Sequence, residues 1–161
     1  MEVVKHYKLI ILVMLPLFVG WLFNSTIVYL PISSIIMWIL NIGFIVYWFW
    51  VGKQFGQLKL NRLFSFLIGN IIWIISFMLF IWQFIVVDDS KRNFFLAGIS
   101  QYYILFTIMF PTKLVALFTD VLHSTQIIVT SYIFMLIIFL IGFIYGAARV
   151  RITKQVNSSI D

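Results

Sequence analysis

From Leu9 to Gly52 the chain runs 44 residues without an Asp, Glu, Lys, Arg or His. A hydrocarbon core about 30 Å thick is crossed by roughly 20 helical residues at 1.5 Å each, so this stretch holds two membrane spans. Composition agrees over all 161 residues: 63% are apolar, 19% aromatic and 10% charged, with a mean hydropathy of +1.11. Soluble domains carry about half apolar and a quarter charged residues. So few polar side chains cannot cover a water-soluble globule. That excludes a cytosolic enzyme, a disordered chain and, despite a net charge of +6, a nucleic-acid binder. Cysteine is absent, which removes disulfides, thiolate metal sites and cysteine nucleophiles.

The polar and helix-breaking cluster Asn24, Ser25, Thr26, Pro31, Ser33 and Ser34 divides the first stretch into spans near 8–27 and 32–51. Lys5, His6 and Lys8 precede the first of these in the manner of a signal peptide. The apolar run is longer than a signal core, however, and is read as a retained anchor. Pro16 is expected to kink it. Residues 63–87 are 25 uncharged residues and form a third span, and 126–148 the last. Residues 93–112 are also uncharged, and counting them with their continuation as a crossing gives a five-span alternative.

Charge bias separates the two topologies, because Lys and Arg concentrate on the cytoplasmic side. With four spans and both termini inside, Lys5, Lys8, Lys53, Lys59, Arg62, Arg149, Arg151 and Lys154 are cytoplasmic, against Lys91, Arg92 and Lys113 outside, a ratio of 8 to 3. Five spans reduce the ratio to 6 to 5 and bury Pro111 and Lys113 in a span, where a central lysine costs roughly 2.5–3.5 kcal/mol. Four spans follow, with a cytoplasmic loop at 52–62 and a cytoplasmic tail at 149–161. Trp21, Trp82 and Tyr132 are expected at outer ends of spans, and Tyr47, Trp48, Trp50 and Tyr145 at inner ends, as amphipathic rings at headgroup depth. The bias toward Ile, Phe, Lys and Asn suits the codon usage of an AT-rich bacterial genome, and a bacterial cell membrane is the expected location.

The segment 93–123 is too apolar for a free loop. At 100° per residue, Pro111 to His123 places Thr112, Lys113, Ala116, Thr119, Asp120 and His123 on one arc, opposite Leu114, Val115, Leu117, Phe118, Val121 and Leu122. An amphipathic helix is expected there, lying on the outer surface or capping the bundle, with Phe94–Phe110 dipping into the bilayer or packing on the spans. An insertion of this kind needs a covering surface, and Thr112, Lys113, Thr119, Asp120 and His123 are the candidate interaction residues.

Chemistry-bearing residues are sparse. Asp120 and His123, three apart, would share a helix face and are weak metal-ligand candidates. No HExxH or other spaced ligand set accompanies them, and solvation is the plain alternative. No span carries an ionisable acid, base or histidine away from its ends, so proton-relay or voltage-sensing roles are excluded. Asn41 and Asn70 are expected to meet across spans two and three, as a packing clamp or, with Trp38 and Trp73, as a ligand pocket. Gly142 and Gly146 form a GxxxG pattern, and Ser65 and Gly69 a looser small-xxx-small pair; the two are expected to face each other within the bundle. Gly52-Lys53-Gln54-Phe55-Gly56 lacks the strand and the lysine-hydroxyl ending of a phosphate loop and is read as a turn.

The sequence thus points to a four-transmembrane-helix bundle, all-α, with an amphipathic or re-entrant helical insertion between spans three and four. No catalytic residue, cofactor or metal is expected. The functional expectation is a non-enzymatic accessory, regulatory or immunity-type subunit that engages a membrane-protein partner. The alternatives are a binding or transport component for a hydrophobic small molecule or lipid and, less favoured, an outer-face metal-dependent enzyme at Asp120 and His123.

Overall fold

The computed structural model describes the backbone of residues 2–26 and 33–158, and side chains over 9–26 and 35–152. The expected break between the first two spans falls largely outside the described residues. Those described are all helical, without strands: α1 (Glu2–Thr26), α2 (Ser33–Gly56), α3 (Arg62–Gly69), α4 (Ile71–Ile81), α5 (Phe94–Tyr102), α6 (Met109–Ala116) and α7 (Ser124–Ser158). A π-helical turn, Trp82–Val86, prolongs α4, and short 3-10 turns cover Asp89–Lys91 and Leu105–Thr107. Leu9–Thr26, Ile35–Gly56 and Ser124–Ile152 are long and apolar enough to cross a membrane. The pair Arg62–Gly69 and Ile71–Val86, bent by 55°, makes a fourth if counted as one span.

The scaffold is the pair α2 and α7. A Cβ on Gly52 would strike the Phe139 carbonyl and one on Gly56 the Phe143 carbonyl. Reciprocally, Gly142 abuts the Phe49 carbonyl and Gly146 that of Lys53. Rising numbers meet rising numbers, so the two helices run parallel, each offering a GxxxG face to the other. Removing side chains at the crossing lets backbones touch, and dispersion over that close contact holds helices together where no hydrophobic driving force acts between them. Two expectations are corrected here. Gly52–Gly56 is the last turn of α2 and not a turn between elements, because its glycines belong to this crossing. Gly142 and Gly146 face α2, whereas Ser65 and Gly69 face Phe55 and Phe139.

The third apolar segment is broken. Gly69 and Asn70 end α3, and Asn70 adopts φ −110°, ψ 10°, leaving the helical path before α4 resumes. Ser65 Oγ donates to the Phe55 carbonyl at 2.6 Å, tying α3 to the end of α2. α7 continues as helix to Ser158, so the segment expected as a tail at 149–161 is helical over most of its length.

α1 stays helical through Pro16. A proline has no N–H to give to the carbonyl four residues earlier, here Leu12. Tyr47 of α2 supplies the missing donor: its hydroxyl reaches the Leu12 carbonyl at 2.6 Å. α1 also approaches α5, where Gly20 lies against the Tyr102 carbonyl, and its Phe23 ring sits 5.5 Å from Phe106.

The insertion folds back into the protein. Tyr103 meets Trp48 edge-on at 6.0 Å, Phe106 stacks on Phe44 at 5.8 Å, the Met109 amide donates to Asn41 Oδ1 at 3.2 Å, and Phe110 meets Trp38 at 5.2 Å. Residues 103–110 therefore run antiparallel to α2. Their tip lies about 22 Å along α2 from Ser33 at 1.5 Å per residue. Both ends of the insertion sit where α7 begins: Gln83 Oε1 accepts from the Asn93 amide at 2.8 Å, and α6 leads through 117–123 into Ser124. The expected helix over 111–123 is cut short, since α6 stops at Ala116.

Gly142→Ala is expected to destabilise the fold by about 1–3 kcal/mol by forcing α2 and α7 apart. Gly43→Ala, whose Cβ meets nothing within 4 Å, should leave stability level or slightly raised. Thermal unfolding in detergent of the two variants beside wild type checks this, and equal melting temperatures would refute the crossing.

Candidate functional site

The interior between α2, the α3–α4 break, the insertion tip and α7 concentrates the buried polar atoms. One group is satisfied. Ser76 and Tyr132 hydroxyls lie 2.7 Å apart and share the Ser100 carbonyl, at 3.0 and 2.6 Å, and Trp73 Nε1 donates to the Tyr132 carbonyl at 3.0 Å. This cluster joins α4, α5 and α7 by hydrogen bonds that no water competes for. Tyr132 is thus a core residue and not the interfacial ring expected of it, and Trp48, fully buried, is another. Trp21, Trp50, Trp82 and Tyr145 are half exposed, as a headgroup belt requires.

A second group is not satisfied. Trp48 Nε1, Tyr103 Oη and Asn70 Oδ1 are buried and have no hydrogen-bond partner among the described residues. The Phe139 ring is 5.5 Å from Trp48, whose own ring meets Tyr103, and it blocks the space beside Gly69, which precedes Asn70. Each orphaned group costs about 1–3 kcal/mol. All three are uncharged polar groups and offer no acid–base chemistry at neutral pH.

The expected quartet is not one pocket. Asn41 bonds Met37 and Met109, while Asn70 donates to the Phe66 carbonyl at 2.9 Å. Asn70 adjoins the Phe55 level of α2, about 21 Å along that helix from Asn41 at 1.5 Å per residue. The expected amide clamp therefore does not form. Trp38 packs on Phe110, and Trp73 on Phe77 and Tyr132. Asn41 instead holds the insertion, a role that nothing in its local sequence announces.

Apolar grooves flank α1. One, of about 470 Å³, is lined by Met14, Leu17, Phe18, Trp21, Phe95, Ile99 and Tyr102. The other, of about 280 Å³ between α1 and α2, includes Pro16, Gly43, Tyr47 and Phe106. At the rim of the insertion Phe94, Phe95, Leu117 and Phe118 are 81%, 75%, 78% and 83% exposed, and Val121 and Leu122 continue the patch. The apolar side of the expected amphipathic segment therefore faces outward.

Of the expected interaction residues, Thr112 is half-buried and donates to the Ile108 carbonyl at 2.6 Å, and Thr119 closes a local turn with Val121. Lys113, Asp120 and His123 are exposed. Asp120 and His123 follow the end of α6 and so share no helix face. Among the described residues no group of three His, Cys, Asp or Glu is placed to hold a metal. Arg92 donates to the Gln83 carbonyl at 2.9 Å, pairs with Asp89 and lies 4.5 Å over the Phe84 ring, closing the base of the insertion.

Tyr103→Phe removes a hydroxyl without a protein partner and is expected to be neutral or to raise stability by about 1 kcal/mol, whereas Tyr132→Phe should cost about 1–2 kcal/mol. Matched unfolding curves check the order, and a destabilised Tyr103→Phe would show that its hydroxyl holds something outside the chain. Tyr47→Phe should cost about 1 kcal/mol in the native background and much less with Pro16→Ala, where the helix itself satisfies Leu12. A double-mutant cycle with no coupling would sink that link. No protein-family model matches the chain, and no curated protein or solved structure is detectably similar to it.

Proposed function

We propose that this chain is a four-span membrane protein with both termini cytoplasmic, whose residues 93–123 re-enter the bilayer from the opposite face. In this reading it acts without catalysis as an accessory, regulatory or immunity-type subunit that binds a membrane-protein partner through the rim of that insertion. The rim carries the reading: four apolar side chains more than 70% exposed sit at the two ends of a segment whose tip is buried. Groups of exposed apolar side chains mark binding faces, and side chains carried on a buried, hydrogen-bonded base are already in their binding shape.

The topology is supported by the parallel run of α2 and α7, which requires an odd number of crossings between them; the bent α3–α4 pair supplies one and the insertion returns. The bacterial cell membrane remains the proposed location on composition alone. The two grooves beside α1 favour a second reading, a site for a hydrophobic small molecule or lipid, although the residues lining them differ from the quartet expected for it.

Replacing Phe94, Phe95, Leu117 and Phe118 together by Ser should abolish co-purification of a membrane-protein partner in mild detergent while the protein still inserts. A compartment-specific reporter after Asp161 should remain cytoplasmic. Undiminished co-purification overturns the rim as the contact, and an external reporter overturns the topology. Native mass spectrometry showing a retained apolar ligand and no protein partner would favour the second reading.

A further inference from the structure

Opposite the insertion, where α3 begins beside the far part of α7, a groove of about 420 Å³ is lined by Arg62, Phe143, Ile144, Ala147, Ala148, Arg151 and Ile152. Its chemistry is divided. Two arginines, Arg62 and Arg151, line it together, and the remaining wall is aliphatic and aromatic. Among the described side chains neither arginine has a carboxylate within ion-pair distance, and Asp88, Asp89 and Asp120 lie toward the insertion end. Arg62 is also the first residue of α3, whose Asn61 cap turns to the Leu63 amide at 2.9 Å, so the positive end of that helix adds to the charge.

The wall has a distinct origin. Gly142 and Gly146 are used against α2, which turns Phe143, Ala147 and their neighbours toward α3. Small residues at 147 and 148 leave the depth that larger ones would fill. A paired positive charge at the end of an apolar trough matches an anion carrying a hydrocarbon chain: guanidinium groups grip phosphate oxygens in a planar, multidentate way that a lysine ammonium does not. The same end carries Lys53 over the Tyr145 ring at 5.7 Å, and Tyr145 is a half-exposed aromatic of the kind found at headgroup depth.

We propose that this groove is a specific site for one anionic phospholipid, its phosphate held between Arg62 and Arg151 and an acyl chain lying along Phe143, Ile144 and Ala147. The site rests on the reading that α7 crosses a bilayer and brings Arg151 to a membrane face. It does not depend on which face that is, so the reporter fusion and the lipid experiment fail independently. Binding here would link α3 to α7 at the end where the broken helix begins.

The test uses the full-length protein in mild detergent, titrated with phosphatidylglycerol, phosphatidylcholine and glycerol phosphate and read by native mass spectrometry, with thermal shift as a second measure. Wild type should retain one phosphatidylglycerol in preference to phosphatidylcholine. Arg62→Gln and Arg151→Gln should each weaken it roughly fivefold and the pair about 30-fold, on the scale of one surface charge against an anionic lipid. Lys59→Gln, outside the groove, should change nothing. Ala148→Phe, which narrows the trough and keeps both charges, should lower retention of the lipid. Equal binding of the two lipids, or phosphatidylglycerol retained undiminished by the Arg62→Gln/Arg151→Gln protein, overturns the site. Glycerol phosphate bound as tightly as the lipid would show a bare phosphate site and overturn the lipid assignment.

Discussion

The close approach of α2 and α7 sets the rest of the molecule. Four glycines, two on each helix, remove the side chains that would hold the backbones apart, and the Phe49, Lys53, Phe139 and Phe143 carbonyls occupy the space gained. In a membrane such a contact has no hydrophobic driving force behind it, and its strength comes from the number of atoms brought to van der Waals distance. Because the pair is parallel, the chain between Gly56 and Ser124 has to travel the full length of the scaffold. The bent α3–α4 pair makes that journey. The insertion, with both its ends at one end of the molecule, adds no net displacement and is free to serve as a tethered arm.

That arm is held by aromatic packing and by one directed bond. Tyr103, Phe106 and Phe110 take up Trp48, Phe44 and Trp38 in order along α2, and Asn41 accepts the Met109 amide where residues 103–108 pass into α6. The ordering fixes the depth of the arm, and the bond satisfies an amide at the start of α6 that has no partner of its own in the helix. With the tip so placed, the exposed Phe94, Phe95, Leu117 and Phe118 are carried at its two shoulders as a fixed surface.

Much of this was legible from composition and spacing. The uncharged stretches located the apolar helices to within a few residues, and the GxxxG pattern in α7 marked a packing face. The partner of that face was missed, since Gly52 and Gly56 flank a lysine and a glutamine and read as a loop; polarity at the end of a helix outweighed the small-residue spacing that identified it. The break at Asn70 was missed for the opposite reason. An asparagine in a long apolar run suggests an amide buried for packing, whereas Asn70 is itself the residue that leaves the helical path; Gly69, assigned to helix contact, makes that contact. The helix expected over 111–123 had the right periodicity only as far as Ala116, where Thr119 takes Val121 into a local turn that a wheel projection does not register.

The departures from regular helix share one property. At Pro16 the Leu12 carbonyl lost to the helix is met by Tyr47 of α2; at Asn70 the break lies beside Phe55 and Phe139; the tip at Tyr103–Thr107 rests on Trp48 and Phe44; and Gln83, in the π-helical turn, is buried against Asn93. In each case the backbone that leaves the helical ladder is packed against protein, and a bare amide or carbonyl in an apolar surrounding costs several kcal/mol. A scaffold of two unbroken helices in direct backbone contact supplies such surroundings on its outer faces. The irregular elements of α1, the α3–α4 pair and the insertion are arranged around it for that reason. The three buried polar atoms without partners, on Trp48, Asn70 and Tyr103, fall where two of these elements, the break and the tip, press against the same face. Packing there is dense enough to shield the backbone, but among the described residues it brings no group to these three atoms, while Asn70 Nδ2 keeps the Phe66 carbonyl.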